Sequence, residues 1–168
     1  MQRILVIGSP GAGKSTLARE LAQRTGLPLF HLDRMHWLPG WIERDRDEAA
    51  RNLDAVLAQD RWIIDGNYGS SLPRRVARAD GVVWLDYPTS LCLRRAVQRW
   101  WRYRGQARPD MTEGCPERLN AEFFLYIAQF RRAWGRRNAR AMAGFDGELH
   151  RFADPAATAT WLRNVARA

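Results

Sequence analysis

Residues 8–16 read Gly8-Ser9-Pro10-Gly11-Ala12-Gly13-Lys14-Ser15-Thr16, and Lys14 is the only lysine in a chain that carries 26 arginines. The spacing G-x-x-x-x-G-K-[ST] wraps backbone N–H groups around phosphate oxygens, because glycines permit the tight turn and the helix that follows adds the positive end of its dipole. In such a loop the lysine reaches the β- and γ-phosphates as a compact charge, and the hydroxyl after it ligates Mg²⁺. A planar guanidinium does not fit that hole, which explains a lysine kept where arginine is used everywhere else. Gly8, Ser9, Pro10, Gly11, Ala12, Gly13, Lys14, Ser15 and Thr16 are therefore the expected cradle, with ATP as ligand and Ser15 as one metal ligand.

The flanking residues give this pattern its context. Arg3-Ile4-Leu5-Val6-Ile7 is a β-branched run expected to form a buried strand, and Leu17, Leu21 and Ala22 follow at helical spacing. Further strands are expected over Pro28–Leu32, Trp62–Gly66, Val82–Asp86 and Leu149–Phe152. Between them lies an amphipathic helix over Arg46–Gln59, with Ala49, Ala50, Leu53, Val56 and Leu57 on one stripe. After Pro88 a second helix is expected to share Leu93, Ala96, Val97 and Trp100 on one face. Asp154 and Pro155 are placed to open a last helix. Short apolar strands alternating with helices predict a doubly wound α/β fold on a five-stranded parallel sheet.

Composition narrows the class. The 168 residues, 46% of them hydrophobic, suffice for one core, so we expect a single domain over 1–168. A formal charge of +9 points to anionic partners, either a phosphorylated small molecule or a nucleic-acid backbone. No apolar run reaches the ~20 residues of a membrane span and no signal-peptide layout is present, so a cytoplasmic, monomeric or weakly dimeric protein is expected. Cys92 and Cys115 are too few for a disulfide framework and read as reduced thiols.

Beyond the cradle, the sequence resembles the adenylate-kinase-like nucleotide kinases. Trp62-Ile63-Ile64-Asp65-Gly66 is similar to their strand ending in Asp-Gly, a resemblance that implies Asp65 in the Mg²⁺ shell. Leu85-Asp86-Tyr87-Pro88 leads to Arg95 and Arg99, similar in spacing to two arginines that contact the nucleotide in those kinases. The same resemblance makes residues 103–116 a lid, with Arg104 and Arg108 joining Arg95 and Arg99 around the transferred phosphoryl.

A closer resemblance is to the family of DNA topology modulation proteins. It rests on His31-Leu32-Asp33 with His36-Trp37-Leu38-Pro39-Gly40-Trp41, on Asp65-Gly66-Asn67-Tyr68-Gly69, and on Arg108-Pro109-Asp110-Met111 with Glu113-Gly114-Cys115-Pro116-Glu117. Two arginines that grip the acceptor phosphate in nucleoside monophosphate kinases are replaced, by His36 and by Asn67-Tyr68-Gly69; Arg34, Arg74 and Arg75 stand near enough to compensate. Asp33 resembles the carboxylate by which kinases of the shikimate type orient an acceptor hydroxyl, the alternative being a helix N-cap. These features imply an ATP-dependent phosphotransferase acting on a small nucleotide-like or hydroxyl-bearing acceptor.

Several residues admit two readings. His36 is expected as a polar lining residue, Trp37 and Trp41 as an acceptor wall or as packing, and Asp86 as a cap for the next helix. Arg131, Arg132, Arg136, Arg137 and Arg140 lie opposite a stripe of Leu119, Phe123, Ile127, Phe130 and Trp134, and read either as a solvated face or as a nucleic-acid footprint. The second of these supports an ATP-responsive DNA-binding protein as the competing class. No Asn-Lys-x-Asp element is present to read guanine.

Overall fold

The computed structural model describes residues 1–117 and 120–165. Strands β1 (Arg3–Gly8), β2 (Leu29–His31), β5 (Trp62–Asp65), β6 (Gly81–Leu85) and β7 (Glu148–Phe152) form one sheet in the order β2-β5-β1-β6-β7. Every pairing in it is parallel, with Ile4 opposite Ile63 on one side and Gly81 on the other. The expected doubly wound five-stranded sheet is therefore the observed one.

Alternation along the strands builds two cores. Ile4, Val6, Ile63, Val83 and Leu85 face one side, where helices α1 (Lys14–Thr25), α5 (Thr89–Arg102), α6 (Ala121–Met142) and α7 (Pro155–Asn164) contribute Leu17, Leu21, Cys92, Ile127 and Leu162. Leu5, Ile7, Ile64, Val82 and Trp84 face the other, under Leu53, Val56 and Leu57 of α3 (Arg46–Leu57) and Leu72 and Val76 of α4 (Leu72–Arg78). Ile4 to Ile7 are at most 1% exposed, and burying each such side chain contributes roughly 1.5–3 kcal/mol. This double burial is why those strands read as unbroken apolar runs.

Caps follow the expected chemistry. Asp45 accepts from the N–H groups of Asp47 and Glu48 to start α3, and Asp154 accepts from Ala157 to start α7, with Pro155 at its first position.

The structure departs from the sequence reading at several points. β2 stops at His31 and Asp33 lies in a five-residue helix, α2 (Leu32–His36), because the chain turns as soon as it clears the sheet. A short antiparallel hairpin, β3 (Trp37–Leu38) with β4 (Ile42–Glu43), follows α2 and turns at Gly40 and Trp41, both with positive φ. On α5 Ala96 is buried and Leu93 packs on the core as expected, but Cys92 joins them and Val97 is 48% exposed, turned off the expected face. Asp86 does not cap α5; it pairs with Arg151 of β7 and Arg131 of α6. Leu119 lies outside the described residues. Both cysteines are buried and free. Among the described residues no helix is long and apolar enough to cross a membrane.

Arg75 of α4 is the largest charged group in the interior. It is fully buried and donates to the carbonyls of Gly66, Asn67 and Tyr68, fixing the turn after β5. Burial pulls its pKa down to about 10, against the opposing pull of Asp65. Arg75→Met should cost about 2–4 kcal/mol in urea unfolding, since three carbonyls lose their donor; a loss under 1 kcal/mol would remove it as the clamp of that turn.

Candidate active site

β1 delivers the chain to Gly8, and the cradle then closes on itself: the Ala12 N–H donates to the Ser9 carbonyl and Lys14 Nζ donates to the same oxygen at 3.2 Å. Two glycines make the path sterically open. A Cβ on Gly11 would lie 2.2 Å from the Cys92 carbonyl oxygen, and one on Gly8 would lie 2.4 Å from that of Leu85. Gly13, with φ 96°, ends the loop at the N-terminus of α1. Asn67 secures the entry, accepting from the Gly8 N–H at 3.2 Å and donating to the Gly8 carbonyl at 2.8 Å.

Lys14 is half-buried, and its ammonium is pulled below its ordinary pKa by desolvation, with Asp65 and Asp33 opposing. Asp65, at the C-terminal end of β5, has one oxygen, Oδ2, 2.9 Å from His31 Nδ1; the other, Oδ1, is buried without a hydrogen-bond partner among the described residues. An orphaned carboxylate oxygen in the same cleft as the Lys14 ammonium and the Ser15 hydroxyl is the chemistry that a hydrated Mg²⁺ satisfies. Ser15 and Asp65 thus fit that ion.

The cleft is about 1440 Å³ and is lined by the cradle from Pro10 to Thr16, by Asp33 and Asp65, and by Arg95, Arg99 and Arg108. Arg95 donates to the Ala12 carbonyl at 3.0 Å and lies over the Tyr87 ring. Arg104 is not brought into the cleft: it is exposed and lies over the Trp100 ring, while Arg102 and Tyr103 line the cavity in its neighbourhood.

Residues 104–117 run as a strap over the phosphate end. Arg104 bridges to Glu117 and Ala107 to Pro116 through the backbone. Glu117 Oε1 meets Arg99 Nε at 2.9 Å and Oε2 meets Arg108 Nε at 2.7 Å, so one carboxylate holds two guanidinium groups that would otherwise repel. Arg108 also pairs with Asp110 at 3.0 Å, and Asp110 with Arg19 at 3.6 Å. Burial pushes the Asp110 pKa up, but Arg108 and a hydrogen bond from Ser15 outweigh it and leave the carboxyl below its ordinary value. The far edge of the strap is tied to the hairpin: Thr112 donates to the Trp37 carbonyl, Cys115 to that of Leu38, and Trp41 to that of Pro116.

Beyond Lys14, the Tyr68 hydroxyl donates to Asp33 Oδ1 at 3.0 Å. Burial raises the Tyr68 pKa, helped by Asp33, so the phenol stays protonated as a donor. Trp37, Trp41, Tyr126, Trp134 and Arg137 line the same end. None of the three arginines expected to compensate there does so: Arg34 donates to the Pro109 carbonyl, Arg74 pairs with Asp54, and Arg75 is the buried clamp. The sequence motifs contain His31, Asn67, Glu117 and Arg137 without assigning their partners, Asp65, Gly8, the Arg99–Arg108 pair and Gly69, because each of those contacts is tertiary.

The family model for the AAA domain matches residues 4–115. The chain belongs to the AAA domain family. Among curated proteins this AAA domain chain is similar to the adenylate kinase of Thermotoga neapolitana, 23% identical over 94 residues, or 54% of the chain and 42% of that protein. It is also similar to the shikimate kinase of Paracidovorax citrulli, 33% identical over 86 residues, or 48% of the chain and 44% of that protein. The chain thus spans less than half the length of these relatives. In fold it is similar to the solved shikimate kinases of Acinetobacter baumannii, in complex with shikimate, with TM-score 0.64, 15% identity and coverage of 98% and 90%, and of Bacteroides thetaiotaomicron, with TM-score 0.60, 20% identity and coverage of 96% and 94%. These similarities carry the kinase-like, P-loop half of the resemblance read from the sequence.

Two outcomes are expected of the strap. Glu117→Ala should weaken nucleotide binding about tenfold, about 1.4 kcal/mol, in a fluorescent-nucleotide titration, because Arg99 and Arg108 then repel; unchanged affinity would make the bracket irrelevant to nucleotide. Because the Asp110 pKa is depressed on folding, its contribution is fully present above the ordinary value of 3.8 and is lost as pH falls through the lower folded value. Amide protection in residues 108–117 should therefore decline below about pH 4, and less steeply in Asp110→Asn.

Proposed function

We propose that this protein is an ATP-dependent phosphotransferase that moves the γ-phosphoryl of ATP to a hydroxyl of a small acceptor. The observation that carries this reading is one cleft holding half-buried Lys14, the unpartnered oxygen of Asp65 and the Tyr68-bound carboxylate of Asp33. Residues 1–168 would act as one unit, monomeric or weakly dimeric and cytoplasmic, with 103–116 as its lid.

The N–H groups from Gly8 to Thr16 would receive the β- and γ-phosphates, and Lys14 would bridge their charge. Ser15 and Asp65 would hold Mg²⁺, which when bound neutralises charge between the β- and γ-phosphates. Arg95, Arg99 and Arg108 would face the oxygens of the transferring group, Glu117 keeping the latter two in register; Arg104 would join them only if the strap shifts. Asp33 would orient the acceptor hydroxyl and take its proton as the acceptor oxygen bonds to phosphorus. The bond from phosphorus to the bridging oxygen then breaks, and ADP leaves with that electron pair. Such transfer depends on placement and charge rather than on a strong base.

The DNA-binding reading is supported less. Of the basic run, Arg131 pairs with Asp86 and Arg137 donates to the Gly69 carbonyl, so two of its members serve the fold and cleft. The resemblance to DNA topology modulation proteins stands on the sequence segments quoted above.

Lys14→Ala should lower Mg-ATP turnover by at least about a thousandfold with the circular dichroism spectrum unchanged. Retained ADP release by that variant would refute the assignment.

A further inference from the structure

The end of the cleft opposite the cradle has a composition that fits one kind of acceptor. Its walls are aromatic: Trp37 and Trp41 meet edge to face with centroids 5.4 Å apart, and Tyr126 and Trp134 do so at 6.1 Å. Trp134 packs against the backbone of Gly69, where an added Cβ would lie 2.4 Å from its ring, so the wall is held firmly. Aromatic faces of this kind take up flat or apolar ring surfaces.

Charge at this end is scarce. A phosphate dianion is gripped by guanidinium forks, often several. Of the guanidinium groups that line the cleft, Arg95 donates to the Ala12 carbonyl, Arg99 and Arg108 pair with Glu117 and Arg19 pairs with Asp110, while Arg137, beside Trp134, already donates to the Gly69 carbonyl at 3.0 Å and lies 5.1 Å from the Trp134 centroid. Arg34, Arg74 and Arg75 are committed elsewhere. The one carboxylate, Asp33, accepts from Tyr68 on one oxygen; it would receive a substrate hydroxyl on the other, and would repel a phosphate.

We infer that the acceptor is a ring-bearing alcohol without a phosphate group, its ring held between Trp37, Trp41, Tyr126 and Trp134 and its hydroxyl turned toward Asp33. This rests on the kinase reading and names its substrate class. Nucleosides and cyclic polyols both present that chemistry.

The test uses the full chain with Mg-ATP and matched probes: adenosine and thymidine, their 5′-monophosphates, and myo-inositol. Phosphoryl transfer is followed by ADP release, and acceptor binding by tryptophan fluorescence. One ring alcohol is expected to be phosphorylated with kcat/KM at least tenfold above that of the monophosphates; adenosine or thymidine would mark the nucleoside branch and inositol the polyol branch. Asp33→Asn should lower kcat at least a hundredfold with little change in acceptor KM. Trp134→Ala should raise acceptor KM about tenfold at constant KM for ATP, and Trp134→Phe should restore it.

Equal or better transfer to a monophosphate overturns the inference and leaves the kinase reading intact. If no probe turns over, fluorescence decides: binding of ring alcohols without binding of monophosphates sustains the inference, and any other pattern overturns it. Loss of Lys14-dependent ATP binding is the separate signature by which the kinase reading itself would fail.

Discussion

The close approach of two glycines to neighbouring backbone is the constraint on which the site depends. Gly11 runs against the Cys92 carbonyl at the start of α5, and Gly8 against the Leu85 carbonyl at the end of β6, at distances that leave no space for a Cβ. Those contacts lock the cradle to the strand and helix that supply Tyr87, Arg95 and Arg99. Any side chain at either glycine would lift the loop away from the sheet and the arginines together, so the phosphate site and its charge partners form one rigid unit.

Around that unit, buried polar groups do the positioning. Asn67 holds Gly8 through both of its backbone groups, and Arg75 holds Asn67 and its neighbours from behind. The turn 65–69 therefore faces three ways: Asp65 toward His31 and the cleft, Tyr68 toward Asp33, and Gly69 toward Trp134 and Arg137. A fully buried guanidinium is costly unless each donor is used, and here its donors satisfy carbonyls that a strand-to-helix turn would otherwise leave bare.

The strap joins the two ends of the cleft. Through Glu117 it brackets Arg99 and Arg108, and through Thr112, Cys115 and Pro116 it is bonded to the hairpin that carries Trp37 and Trp41. The hairpin tryptophans and the arginine pair are thus bonded to one strap.

The cradle, the five strands and the charge-bearing residues at strand ends were legible in sequence, because local spacing determines them. A run such as Ile4 to Ile7 can only be buried on both faces, and G-x-x-x-x-G-K-[ST] has one phosphate-wrapping solution. Sequence also placed Asp65 at the C-terminal end of its strand, whereas Asp33 proved to lie one turn beyond the sheet, in α2. What only the tertiary structure decided were the partners: His31 on Asp65, Tyr68 on Asp33, Glu117 between two arginines, and the removal of Arg34, Arg74 and Arg75 from the acceptor end. It also turned Val97 outward and gave Asp86 to Arg151 and Arg131. Periodicity fixes which face of an element a side chain occupies, but long flexible side chains choose partners among residues tens of positions away, and that choice exists only once the elements have packed.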